Sequence, residues 1–264
     1  MGRRAFIRWQ QRKRTEFDQW RHADSPLAPL VLLGDSHVAY FAHAARQGYF
    51  GKRRYTACAV NGATAVGLRN PNAATHAIDI FADHLARTEP RAVIVLQLGE
   101  VDCGFVIWYR VRKYGDGIDE QLDRSIAAYF SFVDASRAGG HANFVITGAT
   151  APTIQDGRDW GAVANARREV TASLEQRTAL TRRYNRLLAE HAAARGLPFV
   201  DVWDRMIDPA SGVVRAEFLN RRITDHHMNP ARAAVCWGPR LAAVLPEFDP
   251  PKARTTAAKS ILLL

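Results

Sequence analysis

Cysteine is scarce in this chain of 264 residues, and long apolar runs are lacking. The three cysteines, Cys58, Cys103 and Cys236, are far apart and odd in number, and no Cys-x-x-Cys pair occurs. This pattern predicts neither a disulfide framework nor a zinc site, so we expect three reduced thiols. No run approaches the roughly 18 apolar residues that a membrane span needs.

The N-terminus also lacks the pattern of a secretion signal. After Arg3 and Arg4, the apolar stretch 5–10 is too short for such a signal and is interrupted by Arg8. We therefore expect a cytoplasmic protein without a transmembrane segment.

Charge of the two signs is not balanced. Lys and Arg number 36 against 26 Asp and Glu, which gives a formal net charge of +10 and favours anionic partners. No nucleic-acid-binding motif is present, and basic residues alternate with aromatic ones only in the first 25 residues, so a nucleic-acid partner is not expected. The composition, 47% hydrophobic and 23% charged, is that of a globular protein with a sizeable core.

The chain divides into three parts. Residues 1–25 form a basic segment rich in aromatic side chains, which either packs on the domain as a helix or faces an anionic surface. Residues 26–249 form one domain, and residues 250–264 form a loosely held tail.

Short apolar runs alternate with longer helical patterns along residues 26–249. The predicted strands are 30–33, 54–60, 92–98, 143–147 and 199–203. The predicted helices are 38–47, 73–87, 118–136, 172–195 and 230–245. Continuous apolar runs suit strands that are buried on both faces. Five alternations predict a single flavodoxin-like α/β domain of three layers around a five-stranded parallel sheet.

The first strand ends in Gly34-Asp35-Ser36-His37, directly before a helix. Functional groups gather at the carboxyl ends of the strands in such sheets. Glycine permits a sharp turn, and Ser36 falls at the start of the helix, where free backbone N–H groups can stabilise an oxyanion. A serine at this position is either a nucleophile or a helix cap.

Three later loops carry further polar residues. Asn61 and Gly62 follow the second strand, and Gly99-Glu100-Val101-Asp102 follows the third. Asp225-His226-His227 precedes the last helix. An aspartate beside two histidines offers a general base together with a carboxylate to orient it.

These four loops, in this order, resemble the SGNH hydrolase (GDSL-like esterase and lipase) superfamily, whose blocks are Gly-Asp-Ser, a glycine, Gly-x-Asn-Asp and Asp-x-x-His. The resemblance covers residues 30–245. It implies Ser36 as nucleophile, a late histidine as general base, an aspartate that orients it, and the N–H groups of Ser36 and Gly62 as an oxyanion hole. It also implies hydrolysis of an acyl ester through an acyl-enzyme, without a metal or another cofactor.

The third block departs from the family's pattern. Val101 stands where the family has its oxyanion asparagine. Loss of one such donor typically lowers the rate by about 10²–10³. Asn61, in the neighbouring loop, is a candidate substitute.

The last block departs as well. If His227 is the family's histidine, Thr224 stands where the aspartate belongs and Asp225 lies one residue closer. The loop is then remodelled, or His226 is the base, or another carboxylate orients it. We favour His227 as base with Asp225 as its orienting residue.

Asn61, Asp102 and Arg110 are the residues predicted to contact the substrate. Arg110 either holds an anionic group or forms a surface salt bridge. The Gly-Glu-Val-Asp block also resembles a bacterial subgroup of the superfamily, some of whose members occur among polysaccharide-biosynthesis proteins. That resemblance implies a small-molecule or glycan ester as substrate, such as an O-acetylated carbohydrate, and the net positive charge favours an anionic one.

Three other functions stay open. The Asp-x-His form of Asp35-Ser36-His37 and of Asp225-His226-His227 occurs at metal-dependent phosphoesterase sites, but no Gly-Asn-His or Gly-His-x-His stretch accompanies it, and we expect no metal. The altered blocks are also compatible with a degenerate binding protein. An acyltransferase would use the same serine but pass the acyl group to another alcohol.

Overall fold

The computed structural model describes residues 22–157, 171–222 and 225–250. In these parts of the chain, five strands form one parallel sheet with the order β2-β1-β3-β4-β5. The strands are β1 (Leu30–Gly34), β2 (Tyr55–Ala59), β3 (Val93–Gln97), β4 (Phe144–Thr147) and β5 (Phe199–Val200). β2 is added on one side of β1, and β3, β4 and β5 are added on the other side. The switch point of the topology therefore lies between β1 and β3, which is the flavodoxin-like arrangement. The predicted fold class is confirmed.

Helices cover both faces of the sheet. They are α1 (Val38–Arg46), α2 (Ala77–Ala86), α3 (Ile107–Tyr114), α4 (Ile118–Ala138), α5 (Leu174–Ala193), α6 (Trp203–Met206) and α7 (Pro230–Val244). Residues that alternate along the central strands enter two separate cores, so that Leu33 packs with α2, α4 and α5, whereas Leu32 packs with α1 and α7. This alternation across a sheet that is buried on both faces produces the three layers.

Local signals in the sequence account for where several helices begin. Ser173 caps α5: its hydroxyl accepts from the N–H of Gln176, and the Gln176 side chain accepts from the N–H of Ser173. Asn229 caps α7, which starts at Pro230. Both are typical N-terminal signatures, and they make the bounds of these two helices predictable.

Two predicted elements differ from the structure. The fifth strand ends at Val200 instead of residue 203, because the carboxylate of Asp201 accepts hydrogen bonds from the N–H groups of Val202 and Trp203 and turns the chain into α6. The second helix starts at Ala77 instead of residue 73, after a series of turns. A further helical segment, a π-helical turn at Asp102–Val106 followed by α3, was not predicted.

No helix among the described residues is long and apolar enough to cross a membrane. The basic segment 1–25 and the tail 250–264 lie almost wholly outside the described residues, so their predicted roles stay predictions. The cytoplasmic location likewise stays a prediction.

Candidate active site

The turn after β1 is shaped by a close approach between two strands. Gly34 pairs with Gln97 of β3, and a Cβ atom at Gly34 would lie 1.9 Å from the carbonyl oxygen of Gln97, so only glycine fits here. The chain then turns through Asp35 and Ser36 into α1, whose N-terminal cap is His37 and has no side-chain capping hydrogen bond. Ser36 therefore lies at a helix N-terminus without serving as the cap.

Ser36, His227 and Asp225 form a continuous hydrogen-bonded chain. The Oγ of Ser36 lies 2.8 Å from Nε2 of His227, and Nδ1 of His227 lies 2.7 Å from Oδ1 of Asp225. Ser36 and His227 are separated by 191 residues in the sequence and are brought together because β1 ends beside the start of α7. The three side chains have the relation of nucleophile, base and orienting carboxylate.

The short spacing between Asp225 and His227 is accommodated by a tight turn. Oδ1 of Asp225 accepts from both the backbone N–H of His227, at 3.0 Å, and its ring Nδ1. The other carboxylate oxygen accepts from Nδ2 of Asn220 at 2.9 Å. The loop is thus remodelled so that Asp225 orients His227 from two residues away, and Thr224 lies outside the described residues. Asn220 was missed by the sequence reasoning, because no spacing rule links it to Asp225.

The neighbouring His226 does not occupy this position. Its ring lies against that of His227, with centroids 4.1 Å apart, and its carbonyl oxygen accepts a hydrogen bond from the hydroxyl of Thr153 in the loop after β4. Of the two histidines, His227 is the one that reaches Ser36.

A second Asp–His pair lies beneath the first. Oδ1 of Asp35 accepts from the backbone N–H of His37 at 2.9 Å and lies 2.8 Å from its ring Nδ1, the same arrangement as in Asp225 and His227. Both residues are buried, and the rings of His37 and His227 are 5.2 Å apart. The Asp-x-His form of the two motifs is thus explained by two similar turns. The turn that carries Asp225 and His227 brings its imidazole to Ser36.

The surroundings set the protonation of His227 and Asp225, which are partly buried. Burial lowers the pKa of His227 and the nearby His37 lowers it further, against the opposing effect of Asp225. Burial alone would raise the pKa of Asp225, but the hydrogen bonds from the backbone and ring of His227 outweigh it and lower the pKa. A neutral imidazole beside an ionised carboxylate is the state that a general base requires.

The loops after β1 and β2 lie side by side. The N–H of Val60 donates to the carbonyl of Gly34 at 2.9 Å, and Gly62 follows with a left-handed φ of 75° that favours glycine. Within the described residues, the N–H groups of Ser36 and Gly62 have no acceptor. Two such donors on adjacent loops are suited to hold an oxyanion.

Asp102 has a different environment from the one predicted. It is fully buried and accepts hydrogen bonds from the N–H groups of Ala65 and Val66, at 2.8 and 3.1 Å, and from the hydroxyl of Ser125 at 2.7 Å. Burial raises the pKa of its carboxyl group. A buried carboxylate with three protein donors cannot reach a substrate, so the predicted substrate contact is not supported. Asp102 instead anchors the loop that carries Gly62.

The remaining predicted residues fall in separate places. Asn61 is exposed next to Gly62, and Val101 is buried at the start of the π-helical turn. Arg110, on α3, donates from Nε to Oε1 of Gln121 at 2.6 Å and lies over the ring of Tyr114. The structure thus gives Arg110 an intramolecular partner, and its contact with a substrate stays a prediction.

The ligand atoms of Asp225, His226 and His227 lie within 4.8 Å of one another and could in principle hold a metal ion. Both ring nitrogens of His227 are, however, engaged by Ser36 and Asp225. An ion bound through His227 would have to displace one of these two partners. The donor set fits a hydrogen-bonded triad better than a metal site.

Several solved structures with a similar fold are described as esterases or lipases. The native aryl esterase of M. smegmatis superposes with a TM-score of 0.56 at 12% identity, over 84% of this chain and 99% of the other. A GDSL-like lipase from Bacteroides thetaiotaomicron gives 0.50 at 13% identity, over 83% and 88%. The acetyl xylan esterase AlAXEase gives 0.50 at 13% identity, over 82% and 99%.

No protein-family model matches the chain, and no curated protein matches it. The resemblance to the SGNH hydrolases is confirmed at the level of the fold: the chain has the α/β fold of these enzymes over most of its length. At this level of identity the likeness concerns architecture, and the roles of individual residues rest on the geometry described above.

Proposed function

We propose that the protein is a serine ester hydrolase that acts through an acyl-enzyme on Ser36. The observation that carries this proposal is the hydrogen-bonded series from Ser36 through His227 to Asp225, located at the carboxyl end of β1. The esterases and lipases that share its fold support the same reaction class.

The proposed reaction starts with the Ser36 oxygen attacking the ester carbonyl carbon, while Nε2 of His227 takes the hydroxyl proton. The N–H groups of Ser36 and Gly62 stabilise the oxyanion that forms. When this intermediate collapses, His227 gives the proton to the leaving alcohol, and the acyl group stays on Ser36. Water then attacks, losing a proton to His227, and the acid is released as the serine is restored. Asp225 orients the imidazole throughout.

For the substrate, we propose a short acyl ester, with an O-acetyl group on a carbohydrate as the natural form. The presence of an acetyl xylan esterase among the structures with this fold supports testing that class first. Activity is to be compared on p-nitrophenyl acetate, p-nitrophenyl butyrate and an acetylated xylo-oligosaccharide.

The decisive experiment measures p-nitrophenyl acetate hydrolysis by the wild type and Ser36→Ala, with mass spectrometry after treatment with a fluorophosphonate. We expect turnover and a single adduct on Ser36, both lost in the variant. Ser131→Ala is a matched control, because the hydroxyl of Ser131 bonds only a carbonyl of its own helix, that of Ala127. An active Ser36→Ala variant would refute the mechanism.

Two further outcomes would point to other functions. Turnover that is lost with a chelator and restored by a divalent cation would indicate a metal-dependent reaction at Asp225, His226 and His227. A wild-type protein with neither adduct nor turnover would indicate that the buried Val101, in place of an oxyanion donor, marks a site that binds without reacting.

A further inference from the structure

A half-open cavity lies between α6, the segment 215–218 and α7. It has a volume of about 410 Å³. None of the triad residues is part of its lining. Its size is within the range of sites that hold small organic molecules.

Three arginines from three different elements converge on this cavity. They are Arg205 on α6, Arg215 in the following segment and Arg232 in the first turn of α7. Within the described parts of the chain, none of their guanidinium groups has a hydrogen-bond or ion-pair partner. The nearest carboxylates, Glu217 in the lining and Asp208 close to Arg215, offset only part of this charge. Like charges repel one another, so an anion that binds between the arginines would relieve the remaining repulsion.

The charge of the wall indicates how many negative charges such an anion carries. Asp204 also lines the cavity, but it pairs with Arg240 at 2.7 Å and is neutralised. Among the lining residues, Glu217 is then the remaining carboxylate, and it forms no ion pair with the three arginines in the described structure. Asp208, which is not part of the lining, acts on Arg215 at longer range. The wall therefore has a net charge of about +2, which a phosphate monoester, with about −1.5 to −2 at neutral pH, balances better than a single carboxylate.

The cavity also has an apolar side. Val235 is 60% exposed there, the highest value among the large apolar side chains in the described residues, and Phe218 is buried beneath it. An exposed β-branched residue next to arginines offers a surface for the organic part of a ligand.

We propose that this cavity binds an organic phosphate monoester. The phosphate lies among the guanidinium groups of Arg205, Arg215 and Arg232, whose planar donors match phosphate oxygens, and the organic group lies against Val235 and Phe218. The site is distinct from the proposed esterase site and does not depend on it.

The probe is phenyl phosphate, and its binding is measured by titration calorimetry. We expect benzoate, with one charge, and inorganic phosphate, without an organic part, to bind at least fivefold more weakly. The double variant Arg215→Gln/Arg232→Gln should lose at least tenfold in affinity. Arg186→Gln is the matched control: it removes the charge of an exposed arginine on α5 without a partner in the described structure, and its affinity should stay within twofold of wild type.

A local readout comes from Cys236, which lines the cavity and is only partly buried. Burial raises the pKa of its thiol, so alkylation by iodoacetamide at mildly alkaline pH is slow enough to follow by mass spectrometry. Phenyl phosphate should slow alkylation of Cys236 at least threefold in the wild type and not in the double variant. Cys58, outside the cavity, is the internal control.

Three results would overturn the proposal. Equal weakening by Arg186→Gln would mean that binding is a general response to positive charge. Calorimetric binding without protection of Cys236 would place the ligand elsewhere. Loss of binding after a fluorophosphonate adduct forms on Ser36 would place it at the oxyanion donors. Because the alkylation readout does not involve Ser36, it decides the proposal even if the protein proves not to be an esterase.

Discussion

The hydrogen bond from Asn220 to Asp225 leads to a quantitative prediction. Nδ2 of Asn220 donates to Oδ2 of Asp225 at 2.9 Å, on the carboxylate oxygen that His227 does not use. A hydrogen bond to a charged group typically contributes about 1.5–3 kcal/mol. The Asp225 side chain is 38% exposed, so water replaces part of this bond when it is removed, and we reduce the loss to about 1–2 kcal/mol.

If Asp225 acts as proposed, the variant Asn220→Ala should therefore lose about 5–30-fold in kcat with little change in KM, because the bond orients the Asp225 carboxylate and does not touch the substrate. Initial rates with p-nitrophenyl acetate measure both constants. Asn220→Asp should lose more, since a second carboxylate repels Asp225.

Asn72→Ala is the matched control, because Asn72 is exposed and its side chain has no partner among the described residues. Its kcat should equal that of wild type, and thermal unfolding of both asparagine variants checks that the fold is intact. A kcat within twofold of wild type for Asn220→Ala, or a change in KM alone, would refute the reasoning.

Three further predictions concern pH, the oxyanion loop and the turn after β1. Burial and His37 lower the pKa of His227 from the ordinary value of 6.5, and the proposed reaction needs its neutral ring. The value of kcat/KM should therefore fall on acidification with its midpoint at a pH below 6.5, and a midpoint above pH 6.5 would contradict this. Asp102→Ala leaves the N–H groups of Ala65 and Val66 without their acceptor and should lower the free energy of unfolding by about 3 kcal/mol. Urea denaturation measures this change, and an unchanged midpoint would contradict the prediction. Gly34→Ala places a Cβ 1.9 Å from the carbonyl of Gln97 and should yield little folded protein by circular dichroism, whereas the exposed Gly117, in open space, should tolerate alanine.

Much of the fold could be predicted from local patterns. Runs that are mostly apolar located the inner strands β1, β3 and β4, which are buried at every position, because a strand that is covered on both faces needs apolar residues throughout. The edge strand β2 is buried at Tyr55 and partly exposed along the rest of its length, so its position was indicated less directly. The early end of β5 was not predicted, because Val202 is as apolar as a strand residue. The turn depends on the carboxylate of Asp201, which accepts hydrogen bonds from the N–H groups of Val202 and Trp203. The helix after Asp102 was not predicted, because its first turn is π-helical and contains Gly104, which has a low helix propensity.

The residues of the candidate site also fall into those that the sequence indicated and those whose environment only the structure showed. Residue types and their order, with the resemblance to the SGNH hydrolases, indicated Ser36, Gly62 and the Asp225-His226-His227 segment, because each lies in a recognisable turn at the end of a strand or the start of a helix. The environment of Asp102 could not be predicted from its position after β3, because a carboxylate there can face either solvent or the loop of another strand. Its contacts with residues 65, 66 and 125 show that it faces the protein interior.

Local chemistry along the chain was thus enough to indicate a parallel α/β sheet with a serine at its carboxyl edge, since strand burial, glycine turns and helix starts depend on neighbouring residues. Interactions between distant residues required the folded chain. They include the choice of His227 over His226 at Ser36 and the meeting of three arginines around one cavity. Each of these depends on distances between segments that the sequence separates, and such distances are set only when the layers pack against the sheet.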